Sequence, residues 1–337
     1  MEKQPFISVI VPVHNGERFL PRCLQALTAP SNLAYEVIVV DDCSTDRSAE
    51  ISRQWGAAVL HMPRQSGPAG ARNHGAQKAR GEILFFVDAD VVVQPDSLQR
   101  VADDFLQNPD VAAVFGSYDD DPAEGNFISQ YKNLFHHFVH QQSSSDAVTF
   151  WAGCGAVRRD VFLAVGGYDP ERYPRPAIED IELGYRMRAL GHRILLDKEL
   201  QAKHLKKWEL RSLLHADIFC RAIPWSMLIL ESRGMVNDLN LQTRDRVSAV
   251  LAALSVAIIP FSILKPQLLF LVLLLLATIP LINHKLYRFF IHQRGLGFAF
   301  LAFPMHLLYY LYSAPTFVLC WLRHFFRQQT MRKTSGA

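Results

Sequence analysis

The chain has 337 residues, 50% of them hydrophobic, and a formal net charge of +3. This length favours two parts over one ordinary domain, and so weak a charge gives no reason to expect a nucleic-acid partner. The five cysteines are scattered without CxxC spacing, which argues against a zinc site or a disulfide framework and fits a reducing compartment.

The N-terminus has neither the basic region nor the long apolar run of a signal peptide, so we expect the first part of the chain to stay in the cytosol. Buried-strand patterns cover residues 6–13, 35–40, 57–61 and 83–87. Helical patterns cover residues 17–27, a segment capped by Ser44 or Thr45, and residues 67–78. This alternation predicts an α/β fold with a parallel sheet covered on both faces.

Acidic residues follow two of these strands directly. In parallel sheets ligands bind beyond the carboxyl ends of the strands. Asp41 and Asp42 follow the second strand, and Asp88 and Asp90 follow the fourth. We therefore expect these carboxylates to share one edge of the sheet.

The middle of the chain, residues 116–210, mixes short strands, glycine turns and a polar loop at 141–146. Residues from about 205 to 235 alternate basic, tryptophan and apolar positions, as in an amphipathic helix at a membrane surface. An ordinary amphipathic helix packed on the domain is the alternative interpretation.

Apolar stretches at residues 247–264, 267–282 and 296–322 predict a membrane region at about 245–325, after a domain at 1–240 and before a basic tail at 326–337. The first two are close to the lower length limit for crossing about 30 Å of hydrocarbon. They predict a helical hairpin, with two buried helices of a soluble domain as the alternative.

The third stretch contains Pro304 and Pro315, which predict a kinked, re-entrant or divided helix. Lysines and arginines stand on both sides of it, so the positive-inside rule places both flanks in the cytosol. One complete crossing does not satisfy both flanks, and the sequence leaves two or three membrane helices open.

Asp88-Ala89-Asp90 is the strongest short signal. Two carboxylates just past a buried strand can bind one hard divalent cation, which would stabilise a nucleoside diphosphate as leaving group. His204 is a candidate third ligand, and a structural histidine is the alternative for it. A carboxylate of the Asp41-Asp42 pair can accept a hydrogen bond from a base or a ribose, or simply cap a helix.

The segment from Gly67 to Asn73 places small residues and then Arg72 at a helix start, where backbone N–H groups and a cation favour a diphosphate. Glu179 and Asp180 begin another helical pattern. Inversion at an anomeric carbon needs a carboxylate that takes the proton from an acceptor hydroxyl, and Asp180 is the candidate. Complementing the helix dipole is the simpler interpretation of this acidic pair.

Taken together, five ordered segments resemble glycosyltransferase family 2, over roughly residues 6–210. The segments are VPVHNGE at 11–17, VVDDCSTD at 39–46, GARN at 70–73, DAD at 88–90 and ED at 179–180. The resemblance implies a GT-A fold, which is Rossmann-like with a mostly parallel sheet, followed here by C-terminal transmembrane helices. It also implies inversion and a requirement for Mg²⁺ or Mn²⁺.

Site roles follow from the resemblance by position. It implies a nucleoside pocket lined by Pro12, Glu17 and Asp42, a diphosphate neighbour in Arg72, a ribose or metal contact in Asp88, a metal ligand in Asp90 and a general base in Asp180 beside Glu179. His14 departs from the tyrosine that the family often has. The Gln-x-x-Arg-Trp motif of processive members is absent, with only an echo at 221–225, which argues against long-chain polymer synthesis.

The predicted function is transfer of a sugar from a UDP- or GDP-sugar to a hydroxyl of a lipid-linked or membrane-held acceptor. We expect a multi-pass protein of the inner (cytoplasmic) membrane that contacts membrane lipids and keeps its catalytic domain in the cytosol. The alternatives are a polyprenyl-phosphate glycosyltransferase, whose ionised acceptor needs no base, and a non-catalytic nucleotide-binding membrane scaffold.

Overall fold

A computed structural model of the chain describes residues 6–29, 31–232 and 242–334, with the side chains described as far as residue 329. Residues 233–235 of the predicted amphipathic segment, the end of the basic tail and the first five residues lie outside the described parts. The chain divides into two compact units, Met1–Glu209 and Leu210–Ala337.

The first unit contains all nine strands found in the described residues. They are β1 Ile7–Val13, β2 Tyr35–Asp41, β3 Ala58–His61, β4 Ile83–Val87, β5 Val91–Val93, β6 Val111–Tyr118, β7 Asp146–Ala147, β8 Cys154–Arg158 and β9 Arg193–His204. Its helices are α1 Leu20–Leu27, α2 Ser48–Gln54, α3 Gly67–Lys78, α4 Ser97–Gln107, α5 Phe127–Gln142, α6 Arg159–Ala164 and α7 Glu179–Ala189.

The nine strands form one sheet in the order β3-β2-β1-β4-β8-β6-β9-β5, with β7 beside β9. Strands β3, β2, β1 and β4 are parallel to one another. Beyond β4 the sheet is mixed, because β8 runs antiparallel to both β4 and β6 while β6 and β9 are parallel. The predicted α/β class is confirmed.

Hydrophobic cores lie on both faces of the sheet. Successive strand residues point to opposite faces, so Val9 and Val11 belong to one core and Ile10 to the other. The same alternation places Phe85 and Phe86 in different cores. Burial on both faces explains why these strands are almost continuously apolar in sequence.

Strands β6 and β9 come into close contact at Gly116. A Cβ atom at this position would lie 1.7 Å from the carbonyl oxygen of Leu200. The pairing register shifts between Phe115 and Ser117, next to this glycine. Because Gly116 has no side chain, β6 and β9 can approach each other here, and β9 continues to His204.

The second unit is helical in its described residues. Its elements are α8 Leu210–His215, a π-helical segment Ala216–Ala222, α9 Ile223–Glu231, α10 Thr243–Ser262, α11 Gln267–Ile282 and α12 His284–Thr334. Three helical runs are long and apolar enough to cross a membrane by length and composition, namely Leu210–Glu231, Thr243–Ser262 and His284–Gln329, and Gln267–Ile282 is a shorter apolar helix.

Helix α12 departs from helical geometry at Gly295, where φ is 83° and ψ is 173°. Pro304 and Pro315 both lie inside the helical run, so the third apolar stretch is not divided at either proline, and a kink there stays a prediction. Glycine adopts positive φ at little cost, whereas a proline inside a helix removes one hydrogen bond and its ring crowds the preceding turn.

A small polar network joins the helices of the second unit. The Asn283 side chain donates to Ser248 Oγ at 2.9 Å. The Tyr310 hydroxyl donates to Asp245 Oδ1 at 3.2 Å. Interhelical hydrogen bonds of this kind contribute about 0.6 kcal/mol on average within membranes. They therefore help to fix the register of α10, α11 and α12 in addition to apolar packing.

Candidate active site

The carboxyl ends of β1, β2 and β4 lie at one edge of the sheet. The parallel register places Val13 beside Asp41 and Ile10 beside Phe86. Pro12 is buried in β1. The ladder between β1 and β4 ends at Ile10, so the missing N–H of Pro12 interrupts no bond to β4. The predicted meeting of the strand ends is confirmed.

The loops after β1 and β2 are tied to each other by side-chain hydrogen bonds. Asn15 Oδ1 accepts from the Thr45 N–H at 2.8 Å. Glu17 is exposed, and its carboxylate accepts from the Arg47 N–H at 3.1 Å. His14 Nδ1 lies 2.8 Å from the carbonyl oxygen of Asp42. The predicted nucleoside residue Glu17 thus also holds the second loop in place.

Asp42 fixes the start of α3. It is 3% exposed, and its two carboxylate oxygens accept from the N–H groups of Ser66 and Gly67, both at 2.8 Å. Gly67 has φ +71°, and a Cβ there would lie 2.5 Å from the Pro174 carbonyl oxygen. Sequence analysis gave helix capping as the alternative for the Asp41-Asp42 pair but did not identify α3 as the helix, and the nucleoside contact of Asp42 stays a prediction.

Arg72 joins two of the acidic motifs. It is 4% exposed. Nη2 donates to Asp88 Oδ1 at 2.6 Å and Nη1 to Glu179 Oε1 at 3.0 Å. Its guanidinium carbon also lies 5.5 Å from the ring centre of Tyr168. Burial alone would lower the pKa of Arg72, but the charges of Asp88 and Glu179 outweigh it and the pKa is raised. Arg72 therefore holds segments that are far apart in the sequence at one place.

Asp180 lies next to this ion-pair network in α7. Its Oδ2 accepts from the Ala152 N–H at 3.1 Å and its Oδ1 from the Ile181 N–H at 2.8 Å. Burial, and then the charge of Glu179, raise the pKa of Asp180 to about 7. Both Glu179 oxygens are engaged, with Arg72 and with the Ala177 N–H. Of this pair, Asp180 is the carboxylate suited to exchange a proton near neutral pH.

Asp90 and His204 face each other. Leu205 donates its N–H to the Asp90 carbonyl oxygen, and Val91 pairs with His204 between β5 and β9. This pairing leaves His204 Nε2 3.5 Å from Asp90 Oδ2. Burial raises the pKa of Asp90, but the charges of His204 and Lys206 outweigh this effect and the pKa is lowered. Asp90 is thus a carboxylate at neutral pH.

These residues offer a divalent cation two protein donors, an Asp90 oxygen and His204 Nε2. One Asp88 oxygen is bonded to Arg72, and no three His, Cys, Asp or Glu side chains converge within the described ranges. Mg²⁺ and its analogues commonly bind through one or two carboxylates together with substrate phosphates and waters. The donor set therefore fits a cation that is completed by a diphosphate.

Sequence analysis missed helix α5 and its Asn133. Asn133 Oδ1 lies 2.8 Å from His204 Nδ1, on the ring edge away from Asp90. The helix was detectable, because its apolar residues recur at helical spacing: Phe127, Tyr131, Leu134, Phe135, Phe138 and Val139. No local pattern identifies the partner of Asn133, since the contact spans 71 positions.

Residues 8–166 match the family model described as glycosyl transferase family 2. A curated relative named uncharacterized glycosyltransferase, from Haemophilus influenzae, is 28% identical over 168 residues, which cover 48% of this chain and 55% of the relative. The chain spans about half the length of the curated relatives it matches first.

Two solved structures share the fold. Mannosyltransferase PcManGT from Pyrobaculum calidifontis, in complex with GDP-Man and Mn²⁺, matches with a TM-score of 0.57 and 17% identity over 94% of this chain and 88% of that chain. GalNAc-T7 with UDP, GalNAc and Mn²⁺ matches with a TM-score of 0.50 and 20% identity over 62% and 45%. At these identities the likeness concerns the fold alone.

Proposed function

Because this chain is a member of glycosyltransferase family 2 with a GT-A fold, we propose that it transfers a sugar, with inversion, from a nucleoside-diphosphate sugar to a hydroxyl of a lipid-linked or membrane-held acceptor. The contact that carries the proposal is the double ion pair of Arg72 with Asp88 and Glu179. It brings the Asp-Ala-Asp and Glu-Asp segments to the same edge of the sheet.

The donor side of the proposal assigns the nucleoside to Pro12, Glu17 and Asp42, and the diphosphate to the neighbourhood of Arg72. UDP and GDP are the proposed carriers, since the two solved relatives hold UDP and GDP-Man. Arg72 donates two of its N–H groups to carboxylates. We therefore assign it mainly to holding Asp88 and Glu179 in place beside the diphosphate.

Asp90 and His204 would hold Mg²⁺ or Mn²⁺, with Asp88 adjacent. When bound, the cation would supply positive charge to the diphosphate as it leaves the sugar. The two solved relatives both contain Mn²⁺. The contribution of the chain is to keep the Asp90 carboxylate ionised and the His204 ring fixed, so that both donors are in place before the nucleotide binds.

Asp180 would act as the general base. With a pKa of about 7, a large share of its carboxyl group is ionised at neutral pH and would take the proton of an acceptor hydroxyl as the oxygen attacks the anomeric carbon. A phosphate acceptor is already ionised and needs no such base. A general base at Asp180 therefore fits a hydroxyl acceptor rather than a polyprenyl phosphate.

The apolar helices of the second unit would anchor the enzyme in the inner membrane as a multi-pass protein, beside a lipid-held acceptor. Within this proposal residues 1–240 form the cytosolic domain with its interfacial segment, 245–325 the membrane region and 326–337 the basic tail. Many apolar side chains of these helices are well exposed, including Phe270 at 73% and Phe300 at 78%, which suits contact with lipid.

A thermal-shift panel tests the donor and the metal together. UDP, GDP, CMP and dTDP are each added to the detergent-solubilised chain with and without Mn²⁺, and one diphosphate is expected to stabilise it with Mn²⁺. A ligand present at about 100 times its dissociation constant stabilises by about 2.7 kcal/mol. Asp90→Ala is expected to lose the Mn²⁺-dependent part of this shift. Stabilisation by none of the four nucleotides would contradict the proposal, whereas nucleotide binding without hydrolysis or transfer of any nucleotide-sugar would favour a non-catalytic scaffold.

A further inference from the structure

Helix α5 presents three polar side chains to the segment that follows β9. Asn126 Nδ2 donates to the Trp208 carbonyl oxygen at 2.7 Å, and Ser129 Oγ accepts from the Trp208 N–H at 2.7 Å. One helical turn further on, Asn133 Oδ1 lies 2.8 Å from His204 Nδ1. Positions spaced three and four residues apart share one face of a helix. This face therefore fixes both ends of the stretch from His204 to Trp208.

The contact with Asn133 determines which nitrogen of His204 carries the proton. The amide is assigned with its oxygen towards Nδ1, and an amide oxygen only accepts hydrogen bonds. Nδ1 then carries a proton, which leaves Nε2 as the ring nitrogen that can bind a cation. Nε2 lies 3.5 Å from an oxygen of Asp90. A divalent cation at this place would have both atoms as ligands.

The ring of His204 is held in its plane as well. The Tyr118 ring stacks on it with 4.3 Å between centres and 9° between planes. His204 is 4% exposed and Asn133 is 1% exposed, so water does not readily replace either contact. The imidazole therefore has one orientation before any ligand arrives.

We propose that Asn133 is a positioning residue for the metal site. It fixes the Nδ1–H tautomer of His204, so that Nε2 and Asp90 can bind one divalent cation. The inference rests on the proposed metal-dependent function and adds to it a residue that makes no contact with the cation. Loss of such a second partner of a metal-bound histidine lowers metal affinity by about 10–100-fold.

The test is Mn²⁺ binding to the full-length chain in detergent, measured by electron paramagnetic resonance as the disappearance of the free Mn²⁺ signal. Asn133→Leu removes the hydrogen bond to His204 at nearly constant side-chain volume. It is expected to raise the Mn²⁺ Kd by about 10–100-fold. Asn133→Asp keeps the acceptor and adds charge, which increases the basicity of the histidine, and is expected to tighten binding. A residue that merely packs the helix would weaken binding in both variants.

Gln141→Leu is the matched control. Gln141 is in the same helix, and its side-chain amide donates to Ser117 Oγ at 3.2 Å and to the Lys198 carbonyl oxygen at 2.7 Å. This variant removes an amide of α5 that does not contact His204, and its Mn²⁺ Kd is expected to equal that of the wild type.

One outcome would overturn the role of Asn133 alone. In that outcome Asp90→Ala loses Mn²⁺ binding, which supports the metal site, while Asn133→Leu has an unchanged Mn²⁺ Kd. Absence of Mn²⁺ binding in the wild type, or unchanged binding in Asp90→Ala, would overturn both the metal site and this inference. If Asn133→Leu does not fold, the Asn133→Asp variant provides the test. Mn²⁺ binding by Asn133→Asp that is no tighter than that of the wild type would contradict the proposal.

Discussion

Asp180→Asn is expected to lower kcat by about 10²–10⁴-fold while leaving donor binding nearly unchanged, because a positioned general base contributes about that much to a proton transfer. The asparagine retains the shape of the side chain but takes no proton from the acceptor. The measurement is transfer of a radiolabelled sugar, with donor affinity followed separately by thermal shift. Retained activity would favour a phosphate acceptor, which needs no base.

Asp160→Asn is the control for this variant. Asp160 lies in the first turn of helix α6 and accepts from the N–H of the next residue at 2.8 Å, as Asp180 does in α7, but it is exposed. Its replacement is expected to leave kcat within about twofold, since exposed substitutions usually cost no more than about 0.5 kcal/mol. An equal loss in both variants would assign the effect to the helix start rather than to a base.

The pKa of about 7 for Asp180 also sets the expected pH dependence. Below that pH the protonated carboxyl cannot act as a base, so kcat/KM should rise about tenfold per pH unit and level off above about 7. Stability should change in the opposite direction. An unfolded aspartate releases its proton near pH 3.9, so stability falls between about pH 4 and 7. Asp180→Asn should therefore have a higher Tm than the wild type at pH 8 but not at pH 4.

Arg72→Met is expected to destabilise the chain by about 3–5 kcal/mol, because removing one partner of a buried ion pair leaves the other charges buried and unpaired. Only 6% of the Glu179 side chain and 33% of the Asp88 side chain is exposed. Adding Glu179→Gln to Arg72→Met should recover part of the loss, which a double-mutant cycle in denaturant unfolding would reveal.

Arg80→Met is the matched control for the Arg72 variant. Arg80 pairs with Glu36 at 2.8 Å, but its side chain is 75% exposed. Exposed pairs contribute about 0–1 kcal/mol. Equal destabilisation by the two arginine variants would show that the Arg72 network is not the buried junction described above.

The strands and their acidic ends could be predicted because the signals are local. Apolar runs of strand length between helical patterns imply parallel neighbours, and the carboxyl ends of such strands meet. Predicted and observed bounds agree to the residue for β4 and α3. The antiparallel insertion of β8 between β4 and β6 depends on pairings far apart in the chain, and no local pattern carries that information.

The candidate site could be predicted in its members but not in their contacts. Asp88 and Asp180 were identifiable from their motifs. That Arg72 bonds to Asp88 and Glu179, or that Asp42 caps α3, follows only from the tertiary fold. Helix α5 was overlooked although its apolar residues recur at helical spacing, and the support of His204 by Asn133 was missed with it.

The most direct test of the account is sugar transfer into a lipid extract by the full-length chain. Radiolabelled UDP- and GDP-sugars are supplied one at a time with Mn²⁺ or with a chelator. We expect label from one donor to enter the organic phase, chelation to stop the transfer, and Asp90→Ala to abolish it. Transfer that continues undiminished with chelator and in Asp90→Ala would contradict the claim that Asp90 and His204 hold a divalent cation for the reaction.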